Sequence, residues 1–583
     1  VSGTRGDATT RGALTVAGCG EVSLGAGRHT LRAVPGGRSG IDLDRLDLGH
    51  DRGLDDLSGG RHDLVGHHVG QIGVTTRSTI APLAAVATAG LPLLHAADWP
   101  MWGGSPSRNM VAVAQGIPDD IHSGKFIPKT ETIDPKTTKN VKWVAKLGSQ
   151  TYGTPVVAGG RVFVGTNNES PRDGTQQGDR GVLMCFDEKS GEFLWQLVIP
   201  KVGAGKVSDW EFVGLCSAAA IEGDRGWVVS NRGELICFDV KGMADGNGGP
   251  YTDEAKFSAV DGKPVAVGPK SADILWVADI RNELGIFPHN VSSCSPVVVG
   301  DVIIMATSNG VDWSHLNIPA PLAPALIMVD KNTGKVLAEE ASGVSKRALH
   351  ASWGSAAFAE VKGQPTIVWG GGDGWCYGFD LKPYQHPEGF PALKEFFRYD
   401  ANMPEYRMKN GQPVKYATHD GPSEIISTVV VHKDRAYMVI GQDPEHGDGV
   451  GMLSCIDLTA RGDLSGKAIW TNKTLGRSIS TPSIVGDLMF QAEYNGNIHC
   501  IDITNGKILW THATNSRIWS STIVADGKVY CGNEDGELVI LRAERELKLV
   551  GKPEFFTPIY ASPVVANNTL FVASMTHLFA IGK

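Results

Sequence analysis

The residues best equipped for chemistry lie in the long links of this chain, and most come as close neighbours. The run DPEHGDG holds Asp443, Glu445, His446 and Asp448. A carboxylate beside an imidazole can serve as a general base or a metal ligand; the same run also reads as a solvated turn. Sparser sets are Asp209 with Glu211, His289 with Asn290, Asp312 with His315, and His419 with Glu424, while His350 stands alone. Asp443 and Glu445 are also the carboxylate pair that could flank a glycosidic bond, although no residue pattern positions a sugar between them. A weaker metal candidate is Asp245, Asn247 and Asp253 in the loop KGMADGNGGPYTDEAKFSAVDG. Its spacing departs from the EF-hand pattern D-x-[DN]-x-[DN]-G, and a plain polar loop is the competing reading.

These links join elements that repeat. One unit reads TPVVAGGRVFVGTNNES and then GVLMCFDEKSGEFLW, ending at Trp195; a later one reads TPSIVGDLMFQAEYNGNIHCIDITNGKILW, ending at Trp510. Short apolar runs between Gly, Asp and Asn turns are the pattern of antiparallel meanders. Repetition at this period is the pattern of a ring of blades. First strands begin near Thr154, Ala218, Ser295, Ser355, Thr428, Thr481, Ser521 and Ser562, which predicts an all-β, eight-bladed propeller of four-stranded antiparallel blades. Seven blades is the alternative, because the fourth and fifth units are irregular. The last unit stops after three strands, and NVKWVAKLG precedes the first unit without a blade of its own. Pairing the two would close the ring and hide both sheet edges.

The repeat also predicts where a site would sit. Links between second and third strands, and between blades, share one face and are the long ones, so the working surface is expected there. Aligning the first strands gives a ring of hydroxyl-bearing residues at Thr154, Ser295, Ser355, Thr428, Thr481, Ser521 and Ser562, interrupted by Ala218. These are expected to bond backbone between blades. Two residues earlier come Tyr152, Cys216, Ser293, Trp353, Ile426, Ile479, Trp519 and Tyr560. Residues two apart in a strand point the same way, so Tyr152, Trp353, Trp519 and Tyr560 are candidates to stack on a planar ligand at the channel mouth. His289, His419, Asp443, Glu445 and His446 are the polar candidates around them.

The cysteines read as packing. Cys185, Cys237, Cys455 and Cys500 each stand two residues before a repeat Asp, one equivalent site in four blades. Free Cys suits such a place as a small apolar residue. Cys216 and Cys294 are the best candidates for a bridge. A net charge of −9 with no basic block in residues 98–583 excludes a nucleic-acid groove.

Residues 1–73 are rich in Gly, Arg, Asp and His and poor in aromatics, the composition of a disordered or mistranslated leader. Within it His62, His67 and His68 could bind metal. Residues 74–97 have Arg77, an apolar run from Ile80 to Leu94 and the small pair Ala96–Ala97, the layout of a signal peptide cleaved there. Translation is expected to start at Val74, read as Met. The product would be a periplasmic or extracellular monomer without a transmembrane segment, since the apolar run is too short for one.

The signature D-x-x-x-G-x-x-x-W is complete at Asp187–Gly191–Trp195 and Asp502–Gly506–Trp510, degraded at Asp330–Gly334–Ala338, and lengthened between Asp457 and Trp470. It resembles the tryptophan-docking repeat of PQQ-like propellers over roughly residues 98–583, and the opening DWPMWGGSPSRNM resembles the N-terminus of exported members. For quinoprotein dehydrogenases the resemblance implies pyrroloquinoline quinone (PQQ) and Ca²⁺ in the central channel, with an Asp as base. This chain departs from them: it has no adjacent cysteine pair, no CxxCH motif, and no Glu/Asn/Asp metal set that can be placed. No cofactor is therefore expected, PQQ and calcium being the alternative. The functional expectation is a non-catalytic propeller, like the outer-membrane assembly propeller, that binds or scaffolds an unidentified protein or small molecule. A PQQ- and Ca-dependent alcohol or sugar dehydrogenase is the alternative.

Overall fold

The computed structural model describes residues 97–583, together with two short hairpins, Ala13–Val16 with Gly20–Ser23 and Thr30–Arg32 with Asp47–Gly49. The signal peptide expected over 74–97, all but its last residue, the expected Val74 start and the leader histidines expected to bind metal lie outside the described residues.

From Val141 onward the chain forms eight antiparallel sheets of four repeat strands each, arranged as blades. In every blade the first strand starts two residues after the position read from the repeat: Val156, Ala220, Val297, Ala357, Val430, Ser483, Ile523 and Val564. The offset is constant because the hydroxyl ring bonds outside its own sheet. Ser295 Oγ accepts the amide of Ala218 at 3.0 Å, Ser355 Oγ that of Ser295 at 2.9 Å, and Thr154 Oγ1 that of Ser562 at 3.1 Å. Thr481, Ser521 and Ser562 repeat the bond, so six of the seven hydroxyls tie one blade to its neighbour; Thr428 accepts from the segment before the ring instead.

The fourth and fifth units look irregular because their third-to-fourth links cross to the previous blade. Pro391–Leu393 pairs parallel to Val336–Glu340, and Gly462–Asp463 pairs parallel to Glu395–Asp400. Both additions cover an outer edge that would otherwise be open.

The ring closes as the repeat predicts. Val141–Lys146 supplies the fourth strand of the last blade, with Trp143 opposite Ala580. Closure is made a second time by side chains. Trp143 donates to the Glu188 carbonyl at 2.9 Å and lies over Gly191, where a Cβ would meet the indole at 2.5 Å. Trp195 repeats this on Val240 and Gly242, and Trp470 on Ile503 and Gly506. The repeat Gly therefore does two jobs: it turns the chain at positive φ (+71° at Gly191) and leaves room for the preceding blade's Trp. Asp187 holds the same turn by accepting the Ser190 amide at 2.8 Å. The equivalent cysteines face these rings: Cys185, Cys455 and Cys500 pair with Trp195, Trp470 and Trp510. A small side chain fits beside an indole where a larger one would not.

Trp195 is fully buried. Trp195→Ala is expected to cost about 3–5 kcal/mol, read as a lower midpoint in denaturant unfolding. An unchanged midpoint would refute the docking role.

All eight described cysteines are free, so the bridge expected between Cys216 and Cys294 does not form. Strand parity explains it. Cys216 aligns with Ser293, not Cys294, so the two side chains point to opposite sides. Cys216 faces the channel, while Cys294 enters the core between blades.

The segment before the ring is not a blade. Residues 98–117 run across the face of the first-to-second-strand turns and touch every blade in passing. Trp99 bridges Val157, Pro100 accepts from Ile221, Pro106 from Phe358, Ser107 from Val431, and Met110 from Val524. Asn109 exchanges bonds with Ile484, and the Gln115 amide reaches Asn568. Arg108, fully buried and at φ +63°, donates to the carbonyls of Trp102, Ser295 and Ala356 at 2.6, 3.2 and 2.8 Å. Burial lowers its guanidinium to about 10. Among the described residues, no helix is long and apolar enough to cross a membrane.

Candidate functional site

The crossing segment plugs one end of the central channel and leaves a cavity of about 380 Å³ open towards the long links. Trp102 forms its floor, its indole donating to Thr428 Oγ1 at 2.9 Å. Both aligned rings line the wall: the eight positions of the hydroxyl ring lie deep, and the eight positions two residues earlier lie nearer the mouth. Tyr152, Trp519 and Tyr560 stand together because the first, seventh and eighth blades adjoin. Trp519 and Tyr560 stack with centroids 4.7 Å apart, and Tyr560 and Tyr152 at 5.4 Å. Glu534 orients them, accepting from Trp519 Nε1 at 2.8 Å and from Tyr560 at 3.4 Å. Trp353 comes from the fourth blade, on the far side of the ring, and its indole donates to the carbonyls of His289 and Val291.

Two links add acidic groups at the mouth, and a third adds Asn290. Glu211, Asp443 and Glu445 line the cavity, with Asn290 donating to Asp443 at 3.0 Å. Burial, and then Asp443, raise the Glu445 carboxyl above its usual range. No Lys or Arg is among the described residues that line the cavity. The Cys216 thiol is pushed up to about 12 by burial, so it is no nucleophile there.

The other candidates divide. His289 and His446 do not line the cavity; they join a histidine cluster behind Trp353, where His289, His315 and His350 bring ring nitrogens within 4.8 Å of one another. Burial holds His289 and His350 down to about 3, and lowers His315 as well. His419 is exposed and stands outside both groups. Asp245, Asn247 and Asp253 are each engaged elsewhere, with Lys241, Glu254 and Lys256 respectively. Asp209 is buried against Lys201 at 2.6 Å. Sequence reasoning missed Trp102, Arg108 and Glu534. The first two sit in a segment without repeat periodicity, and Glu534 becomes relevant only once two blades meet.

A family model described as outer membrane protein assembly factor BamB matches residues 454–547, the part of the ring from the fifth to the seventh blade. Residues 454–547 thus carry a PQQ-like repeat within an eight-bladed β-propeller. The dehydrogenase subunit of the quinone alcohol dehydrogenase of Komagataeibacter europaeus is 24% identical over 460 residues, 72% of this chain and 56% of that protein. The beta-alanine-activating enzyme of Drosophila melanogaster is 32% identical over 117 residues, 17% of this chain and 12% of that protein. The chain thus spans little more than half the length of the dehydrogenase relative. The crystal structure of BamB from Moraxella catarrhalis aligns with a TM-score of 0.46 at 13% identity, covering 76% of this chain and 96% of that one.

The cofactor of quinoprotein relatives does not fit this wall well. PQQ is a polycarboxylate, whereas the cavity presents carboxylates and no basic side chain among its described lining. Like charges at close range in a partly dry pocket repel. Glu211, Asn290 and Asp443 are hard oxygen donors suited to calcium, but the described lining offers the anionic quinone no cationic side chain.

Proposed function

We propose that this PQQ-like propeller is an exported, non-catalytic binding module whose central cavity takes a small planar ligand that is neutral or positively charged. The observation that carries this is the pairing of the stacked wall Tyr152–Tyr560–Trp519 with acidic groups at the mouth. Aromatic faces attract cations and flat π-systems, and carboxylates reinforce the preference for positive charge. The plug makes the cavity blind, so a ligand enters and leaves by the loop-rich face.

Proflavine, a flat aromatic cation, is a suitable probe. Saturable quenching of tryptophan fluorescence is expected, weakened about tenfold in Trp519→Ala, since one lost stacking contact is worth about 1–2 kcal/mol. The same protein should show no saturable uptake of PQQ in the presence of Ca²⁺ and no dye-linked alcohol oxidation. Quinone binding with turnover would replace this reading with the dehydrogenase one, which the quinone alcohol dehydrogenase relatives favour. Mass spectrometry of the mature N-terminus tests export, with a start at Ala97 or Asp98 expected.

A further inference from the structure

The cluster behind Trp353 uses residues the cavity does not. His289 comes from the link before the third blade, and His315 from that blade's second-to-third link. His350 comes from the link before the fourth blade. His289 Nδ1 lies 2.6 Å from the Val311 carbonyl, so it carries the proton and Nε2 presents a bare lone pair. That lone pair points at His350 Nε2, 2.8 Å away. The His315 ring lies 4.9 Å from His289 and 4.8 Å from His350, centroid to centroid. On the other side of His350, Nδ1 faces the Glu424 carboxylate at 3.6 Å, too far for a hydrogen bond.

Glu424 is fully buried and neither of its oxygens has a hydrogen-bond partner; His350 Nδ1 and His446 Nδ1 are likewise buried and unpartnered. Other buried polar atoms lack partners elsewhere in the ring, but Glu424 is the one carboxylate among the described residues with both oxygens orphaned, and such a group is costly. Three neutral imidazoles converging on one point, with a carboxylate behind one of them, form the donor pattern of a borderline metal dication. An ion held at about 2.0–2.1 Å in tetrahedral geometry wants nitrogens about 3.3 Å apart, so His289 and His350 need part only slightly.

We propose that His289, His315 and His350 bind a transition-metal dication of the zinc type, with Glu424 as the outer carboxylate that orients His350. Bound metal would take the two facing Nε2 lone pairs and draw His350 Nδ1–H onto Glu424. The fourth position would be left to His446 Nδ1, whose ring stacks on His350 at 4.9 Å, or to an exogenous ligand. Trp353 separates this centre from the cavity, its indole packed edge-on to His350 at 4.9 Å.

The test is titration of the chelator-treated full chain with Zn²⁺ by calorimetry and with Co²⁺ by visible absorption. One saturable equivalent per chain is expected, with the intense ligand-field bands of low-coordinate Co²⁺. His289→Ala and His350→Ala should abolish it, Glu424→Gln should weaken it about tenfold, and His386→Ala, on an outer loop, should leave it unchanged. Should a buried variant fail to fold, the half-exposed His315→Ala and the wild-type Co²⁺ spectrum decide the matter. Absence of a stoichiometric site in wild type, an octahedral Co²⁺ spectrum, or binding that survives His315→Ala would overturn the proposal.

Discussion

Replacing Arg108 by alanine is expected to remove about 3–5 kcal/mol of stability and to loosen the floor of the cavity. The side chain is fully buried and its three bonds end on carbonyls of three different places in the fold: Trp102 in the plug, Ser295 before the third blade, and Ala356 before the fourth. Truncation leaves the buried carbonyls of Ser295 and Ala356, and the part-buried one of Trp102, without this donor, the buried ones costing about 1–3 kcal/mol each. Relief of the desolvated guanidinium charge offsets part of that sum. The same bonds hold the turn that presents Trp102 to the cavity. Chemical denaturation should show the lower midpoint. Hydrogen exchange should show faster amides at Ile221, Phe358, Val431 and Val524, which donate to the plug. A variant with wild-type stability and unchanged exchange would mean that the plug is held without its arginine.

The second large effect is expected from a chain that begins after Lys146. It lacks the plug and the closing strand together. The strand His577–Ile581, buried along its whole length, would become an open edge, and Gly191 would lose its Trp143 cover. An exposed apolar edge strand is a template for pairing with another chain. Loss of cooperative unfolding and concentration-dependent association by light scattering are therefore expected. A synthetic peptide covering residues 139–147 should reverse both by restoring the edge pairing. A truncated chain that stays monomeric and unfolds cooperatively would show that the ring does not depend on this closure.

The propeller itself was legible because each blade repeats the same local solution. Alternation within strands, Gly and Asp at turns, and Trp at a constant offset are short-range properties, so the blade count, the register of the first strands and the closing strand could all be read from spacing. The two lining rings followed for the same reason: equivalent positions in equivalent strands must point alike. Symmetry extends only as far as the repeat, however. Trp102 and Arg108 belong to a segment whose conformation is set entirely by distant partners, and no periodicity marks it. The histidines were visible as separate loop residues, but whether His289, His315, His350 and His446 would meet, and His419 would not, depends on the paths of non-repeating links. The cysteine pair failed for a related reason, since neighbouring blades bring positions close while parity decides which way they face. Repetitive local physics wrote the scaffold into the chain; the chemistry lies where long-range packing breaks the repeat, and only the folded ring could place it.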